Sequence, residues 1–495
     1  MPYAIAAGHE ETVKAAQIIL DNGGNAVDAA ISAFLTAMVV EPCMAGVGGG
    51  GLALIREPQG RTTSFDFFCQ TPINKIPQND EDFYPVTVDF GGTLEDFYVG
   101  AASVAVPGSI AGLYSMYKAY GTIPIRELFA TAISLAKQEV PLDFFQAYDL
   151  VLLEGICGAS RRGREIFFNE DGSLKKEGET LSFPHLADFM EVLSYEGEDF
   201  FYKGDIAEYI EKICRERGGH LKIEDLVNYK VNISPSPTFR WKNTQVHTIG
   251  YPSLGSAIIT AFMKQIESLN TSLGSKEELI SLSHAMRKVY YLSKDPFLLA
   301  DHLYKYYGHH VKVSHQVKQG GTTHFSIMDR QGMSVSLTTS IGEGSGIFIP
   351  GTDIHLNNML GEEALMSKGF YNWDPDQRLI SMMSPTIVED INGKVLVTGT
   401  GGAGRIPYMI SLLCHMIFNH NMDLEAGVKA PRLYYHKGVL EVEPGFEIPG
   451  TLDMEVNQWD KQTLYFGGTN SVMLNGSEMY AQADARRYGT AICNP

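Results

Sequence analysis

Positive charge is in short supply in this chain: 39 lysines and arginines stand against 58 aspartates and glutamates, a formal net charge of −19 over 495 residues. That balance, with no exposed lysine/arginine run, does not supply the basic patch that nucleic acid or an anionic membrane needs, so neither is expected as a partner. Cysteine is scarce too. Cys43, Cys69, Cys157, Cys214, Cys414 and Cys493 form no CxxC pair and no zinc-like spacing, which leaves reduced, mostly buried thiols. A long hydrophobic run is also missing. The most apolar helix-like stretch, Ala26 to Val40, carries Asp28 and is too short to cross a bilayer comfortably, so it reads as a core helix. Residues 1–10 lack the cationic start and apolar centre of a secretory signal, and the expected location is the cytoplasm. No internal repeat or low-complexity linker marks a domain boundary.

What is present is a globular composition, 44% apolar and 20% charged, long enough for one large sandwich or two fused lobes. Glu11 to Leu20 has helical periodicity and stops at Asp21-Asn22-Gly23-Gly24, after which Asn25 can cap a second helix. The glycine run 46–51, with Gly48 to Gly51 unbroken, then leads into Leu52-Ala53-Leu54-Ile55-Arg56, a buried strand. Lacking Gly-Lys-Ser/Thr and leading into a strand, the run reads as close packing and not as a phosphate loop. Between Ala111 and Tyr229 most segments are helical in spacing, for instance Ile125 to Gln138 and Ile206 to Arg217. The texture changes after Lys318. Residues Thr322 to Met328 and Met333 to Ser340 are rich in β-branched side chains and flank the turn Asp329-Arg330-Gln331-Gly332, which predicts a β-hairpin.

Gly320-Gly321 precedes the first strand of that hairpin and sets a strain-tolerant backbone beside a hydroxyl side chain. A threonine hydroxyl is a feeble nucleophile until a base takes its proton. If the Gly321–Thr322 bond breaks, Thr322 gains an α-amino group within reach of its own Oγ. With a reference pKa of roughly 7.7–8.0, part of that amine is neutral near pH 7 and can act as the base. Taken alone, a threonine at a strand start is ordinary sheet chemistry.

Several separated segments, in order, carry a stronger signal: Asn22-Gly23-Gly24-Asn25-Ala26-Val27-Asp28-Ala29-Ala30, Val40-Glu41-Pro42 with the glycine run, Val106-Pro107-Gly108-Ser109, Thr322-Thr323-His324-Phe325-Ser326, Val335-Ser336-Leu337-Thr338-Thr339, Leu356-Asn357-Asn358 and Met383-Ser384-Pro385-Thr386-Ile387. Over nearly its whole length the chain resembles the γ-glutamyltransferases, also called glutathione hydrolases, which are N-terminal-nucleophile hydrolases. The resemblance implies an α+β, four-layer αββα sandwich. It further implies one precursor cut into a large subunit, Met1–Gly321, and a small subunit, Thr322–Pro495, intertwined in one unit, with a dimer of such units as a further assembly. Thr322 falls on the family's nucleophile and Ser340 on a second hydroxyl that supports it. The segment Thr398-Gly399-Thr400-Gly401-Gly402-Ala403-Gly404-Arg405 falls on the glycine loop, so the N–H groups of Gly402 and Ala403 would form the oxyanion hole. No cofactor is implied. The partner is a small-molecule amide, either a γ-glutamyl compound or another acyl amide.

Departures from the pattern concern the substrate side. The family's arginine for the glutamate α-carboxylate is replaced by Phe68, and its paired serines appear as Ser381-Met382. The aspartate for the α-ammonium maps near Glu362, and an asparagine after the second hydroxyl is replaced by Gly342. Loss of a bidentate guanidinium removes a few kcal/mol of carboxylate binding at a desolvated site, so an unmodified γ-glutamyl group should bind poorly and a more apolar acyl group is expected, with Phe68 and Met382 lining its pocket. The short stretch from Met359 to Ile380 suggests a site without a long covering lid.

Two readings from other classes compete. Gly399-x-Gly401-x-x-Gly404 follows a strand-like segment and enters a helical one, as a dinucleotide fingerprint does, although no second strand ending in an acidic residue follows at the expected distance. The chain could instead be an unprocessed, non-catalytic binding protein. His324 is read as packing and not as a base, Tyr304, Tyr306 and Tyr307 as packing and surface residues, and His302, His309 and His310 lack a completed metal spacing.

Overall fold

In the computed structural model, residues 2–89, 94–307, 321–362, 365–366, 369–450 and 452–494 are described, with only the backbone of Asp89, Leu94 and Glu95. The paired histidines His309 and His310, and Lys318 and Gly320, lie outside them.

The architecture follows from how two antiparallel sheets dispose of their faces. One holds Tyr3–Ala7 (β1), Gly50–Arg56 (β2), Thr62–Phe67 (β3), Asn232–Pro235 (β4), Gly321–Met328 (β7), Ser334–Gly342 (β8) and Thr490–Asn494 (β13), in the order β13-β1-β7-β8-β2-β3-β4. The other holds Thr238–Trp241 (β5), Thr244–His247 (β6), Thr386–Asp390 (β9), Val395–Gly399 (β10), Asn470–Asn475 (β11) and Glu478–Gln482 (β12), in the order β12-β11-β10-β9-β6-β5. Every pairing in both is antiparallel. Alternation along the strands splits the apolar residues cleanly. Tyr3, Ile5, Ala7, Ala53, Ile55, Phe325 and Ile327 join one core cluster, while Ala4, Ala6, Leu52, Leu54 and Met328 join the other.

The first cluster faces a helical layer that includes Glu10–Asp21 (α1), Ala26–Val40 (α2), Ser109–Tyr120 (α3) and Ile125–Ala136 (α4). All fifteen residues of α2 are buried, and the helix starts at a reciprocal capping box between Asn25 and Asp28. Asp28 also accepts from the Thr122 N–H and hydroxyl, which ties α2 to the turn between α3 and α4. The second cluster fills the space between the sheets and beneath a second helical layer, Leu254–Ile266 (α5), Lys276–Leu292 (α6) and Ile406–Phe418 (α7). The order is helix, sheet, sheet, helix: the αββα sandwich. Strands from both sides of residue 321 alternate within the first sheet, since β1 pairs with β7 and β8 with β2.

The predicted hairpin is β7–β8, and the predicted helix 406–418 is α7. The dinucleotide reading is excluded by topology. β10 does carry the glycine loop into α7, but its neighbours β9 and β11 are both antiparallel to it, so no parallel βαβ unit exists there. Among the described residues no helix is long and apolar enough to cross a membrane. All six cysteines are free; five are buried and Cys493 is half-buried.

Candidate active site

The site is built where β7 begins. Thr322 pairs with Ser340 across the hairpin, and the pairing is irregular between Gly321 and Thr322. Even-numbered residues of β7 and β8 share the face turned toward the second sheet, so Thr322 and Ser340 point between the sheets. Most of that face on β8 is polar and engaged: Ser336 Oγ donates to the Thr398 carbonyl and accepts the Thr386 N–H. The Ser340 hydroxyl donates to the Gly321 carbonyl at 2.5 Å and accepts the Gly342 N–H at 3.0 Å. Its proton is therefore aimed at the carbonyl of the bond that would break. The Gly321 N–H donates to Glu343 Oε2 at 2.9 Å. Gly49 brings β2 close: a Cβ there would lie 2.4 Å from the Ser340 carbonyl oxygen, in line with the close-packing reading of the glycine run.

The glycine loop lies against this point. A Cβ on Gly401 would stand 2.3 Å from the Thr322 carbonyl oxygen. Gly402 sits at φ 115° and Ala403 at φ 54°, so two successive residues are left-handed before the chain turns into α7. The first N–H groups at such a helix start have no acceptor inside the helix and suit a developing negative charge. Beside the loop is Arg487, whose Nη1 would be 2.6 Å from a Cβ on Gly401 and whose burial lowers its pKa to about 10. Sequence reasoning missed it.

On the acyl side, Gly342 (φ 69°) leaves room that Asn358 and Glu362 fill. A side chain there would meet Asn358 Oδ1 at 2.2 Å and Glu362 Oε1 at 2.5 Å. Glu362 is buried, its Oε1 has no hydrogen-bond partner among the described residues, and burial, together with the nearby Glu343, pushes its pKa well above the carboxylate range. Glu343, also missed from sequence, takes the Asn358 side chain on its own N–H at 2.9 Å. Phe68 and Met382 are 2% and 5% exposed and belong to the core cluster that also holds Met359 and Leu360. The Ser381 hydroxyl accepts the Met383 N–H at 3.0 Å. Arg378 spends its Nε on Asp66, its Nη1 on the Phe68 carbonyl and its Nη2 on the Lys230 carbonyl, and lies over the Tyr229 ring.

His324 faces the same side as Thr322 but is structural. Its ring nitrogens meet Thr338 Oγ1 at 2.8 Å and Ser326 Oγ at 2.9 Å, and burial holds its pKa near 3. The stretch beyond Gly369 is pinned to the segment after β3, with Thr71 donating to the Gln377 carbonyl through its N–H and to the Asp374 carbonyl through its hydroxyl.

Two antiparallel sheets between helical layers, with a glycine-preceded hydroxyl residue opening a central strand, define an N-terminal-nucleophile hydrolase fold. Comparison with known proteins agrees. Over 99% of this chain and 95% of the other, the fold superposes on the cephalosporin acylase of Bacillus halodurans with a TM-score of 0.83 at 19% identity. The gamma-glutamyltranspeptidase of Helicobacter pylori matches 57% of this chain and 80% of its own, with a TM-score of 0.50 at 26% identity. The sequence model of the gamma-glutamyltranspeptidase family matches residues 12–302 and 298–493, and the chain belongs to that family. Among its curated relatives, the glutathione hydrolase proenzyme of Bacillus subtilis (strain 168) is 29% identical over 549 aligned residues, 99% of this chain and 91% of the relative. The protein is accordingly an enzyme of the γ-glutamyltransferase type.

Proposed function

We propose that the chain cuts itself between Gly321 and Thr322 and then uses Thr322 as the nucleophile of an amidohydrolase or acyltransferase. The observation that carries this is the Ser340 hydroxyl held 2.5 Å from the Gly321 carbonyl oxygen. Thr322 Oγ attacks that carbonyl carbon, the C–N bond breaks, and the Oγ proton ends on the departing Thr322 nitrogen. Water then cleaves the resulting ester, leaving a Gly321 carboxylate and a free threonine amine. In each later turnover that amine takes the Oγ proton, the substrate acyl group passes to Oγ, and water or an amine releases it. Gly402 and Ala403 N–H groups are assigned to the oxyanion, each worth about 2.7–4 kcal/mol of barrier. The large and small subunits would stay together because their strands alternate in one sheet. The B. subtilis relative is itself named a proenzyme. Intact mass after incubation tests the step: fragments 1–321 and 322–495 are expected, and a single uncut chain overturns it.

For the acyl group, the geometry favours one without an α-carboxylate. Phe68 has replaced the cation, Arg378 is committed, and Glu343 and Glu362 border the site. The Gly321 N–H supports a second reading. That nitrogen lies one carbon from the carbonyl under attack, so an α-ammonium on a substrate would fall in the same place, 2.9 Å from Glu343. Aminoacyl amides are then favoured over plain acyl amides. Release of p-nitroaniline from γ-glutamyl, aliphatic acyl, aromatic acyl and α-aminoacyl anilides separates the cases. Clear preference for the γ-glutamyl compound overturns the altered pocket, and preference for a plain acyl anilide overturns the ammonium reading.

A further inference from the structure

Away from the nucleophile, three donor atoms converge between two helices of the outer layer. Glu278, in the first turn of α6, presents Oε1 to His415 Nε2 at 3.0 Å and to His420 Nε2 at 2.5 Å. The two ring nitrogens are 3.2 Å apart, and the rings stand nearly perpendicular at 87°. We propose that Glu278, His415 and His420 form a binding site for a divalent transition metal, of which zinc is the best fit.

The donor set is two imidazoles and a carboxylate, which suits zinc and not the all-oxygen preference of calcium or magnesium. A point about 2.1 Å from all three atoms, the usual Zn–N and Zn–O length, lies about 1.2 Å out of their plane. That is a pyramid with a fourth position left open. The second carboxylate oxygen, Oε2, accepts the Gly274 N–H at 2.6 Å, which fixes the carboxylate so that Oε1 turns inward. His415 and Glu278 side chains are 0% and 1% exposed and that of His420 is 10%, so His420 is the most open to solvent of the three. Nδ1 of His415 is buried with no partner among the described residues, and Glu278 Oε1, 3.0 Å from Nε2, draws the ring proton onto Nε2, where a metal would displace it.

Position says what the metal would do. His415 lies nine residues beyond Ile406, ~14 Å along α7 from the end that carries the glycine loop. A metal there would clamp the far end of α7 to α6 and hold the helix that aims the oxyanion loop; it would take no part in the acyl transfer.

The test uses the full-length, untagged protein, stripped with chelator, incubated with zinc chloride and desalted. Elemental analysis should find about one zinc per chain, zinc should raise the melting temperature, and cobalt(II) in its place should give the visible absorption of a four-coordinate site. His420→Asn, at the most exposed ligand, should lose zinc affinity more than about tenfold and lose the thermal shift. Wild-type protein that retains no zinc after desalting overturns the site, whatever the variant does. So does equal retention by wild type and a His420→Asn protein whose circular dichroism is native; if that variant does not fold, Glu278→Gln is read by the same criteria.

Discussion

Replacing Ser340 by alanine isolates the step on which the chemistry turns. The hydroxyl accepts the Gly342 N–H at 3.0 Å, which orients it, and donates to the Gly321 carbonyl at 2.5 Å. Both groups are at the edge of a buried strand pair, where Ser340 is 5% exposed. In the ground state the substitution removes both hydrogen bonds, a net of about 1 kcal/mol each. In the transition state for scission the Gly321 oxygen becomes an oxyanion, and loss of a donor aimed at it costs about 2.7–4 kcal/mol. Self-cleavage should therefore slow by about a hundredfold to a thousandfold while the fold persists. The assay is a time course of intact mass and denaturing gels from freshly purified precursor, with Thr322→Ala as the uncut control. Ser340→Thr should restore most of the rate because the hydroxyl returns. If Ser340→Ala matures as fast as wild type while Thr322→Ala stays uncut, the hydroxyl does not polarise the scissile carbonyl and this account of the site is wrong.

Other expectations follow from the same geometry. Gly401→Ala puts a methyl 2.3 Å from the Thr322 carbonyl oxygen and must push the loop away, so amide turnover should fall by about a hundredfold or more; unchanged turnover would show that the loop does not serve the oxyanion. Arg378→Met leaves Asp66 buried without its cation and should cost about 3–5 kcal/mol in urea unfolding, with Asp66→Asn in the same chain recovering part of it. Glu41 is buried and its pKa is raised from 4.5 to about 7, so the native carboxyl keeps a proton that the unfolded one releases between those values. Stability should then fall with rising pH across that window, by up to about 3 kcal/mol from this group, and Asp149, raised to about 7, acts in the same sense. In a Thr322→Ala background, Glu41→Gln should flatten part of that slope, and an unchanged slope would refute the assignment.

How much of this was legible in the sequence depends on the range of the interaction. The capping of α2 by Asn25, the β7–β8 hairpin and α7 are set by neighbours three or four residues apart or by strict alternation, and the sequence shows both directly. The glycine loop was legible as a strand–turn–helix unit, yet the same unit fits a dinucleotide fold. Only the antiparallel partners β9 and β11 decide between them, and pairing direction is not written locally. Glu343 escaped because its significance lies in the Gly321 N–H, 22 positions earlier. The Glu278, His415 and His420 cluster escaped for the same reason: Glu278 and His415 are 137 positions apart and meet only because α6 and α7 share a layer.

The scissile bond also reports on the substrate it later makes way for. On this proposal self-cleavage and amide turnover share one nucleophile, so the atoms flanking the Gly321 carbonyl would occupy the position of the substrate's acyl part. In this chain those atoms are a glycine Cα, which demands no side-chain space, and an N–H held by a carboxylate. A γ-glutamyl group would bring a carboxylate toward Glu343 and Glu362, while Arg378 is held by Asp66 and the Phe68 and Lys230 carbonyls. Burial keeps the Glu362 carboxyl protonated, so it offers that carboxylate no counter-charge in place of a guanidinium. The family's catalytic geometry and a changed acyl preference are thus compatible in one molecule: on this proposal β7, β8 and the glycine loop would set the reaction, while the residues behind Gly321 would choose what undergoes it.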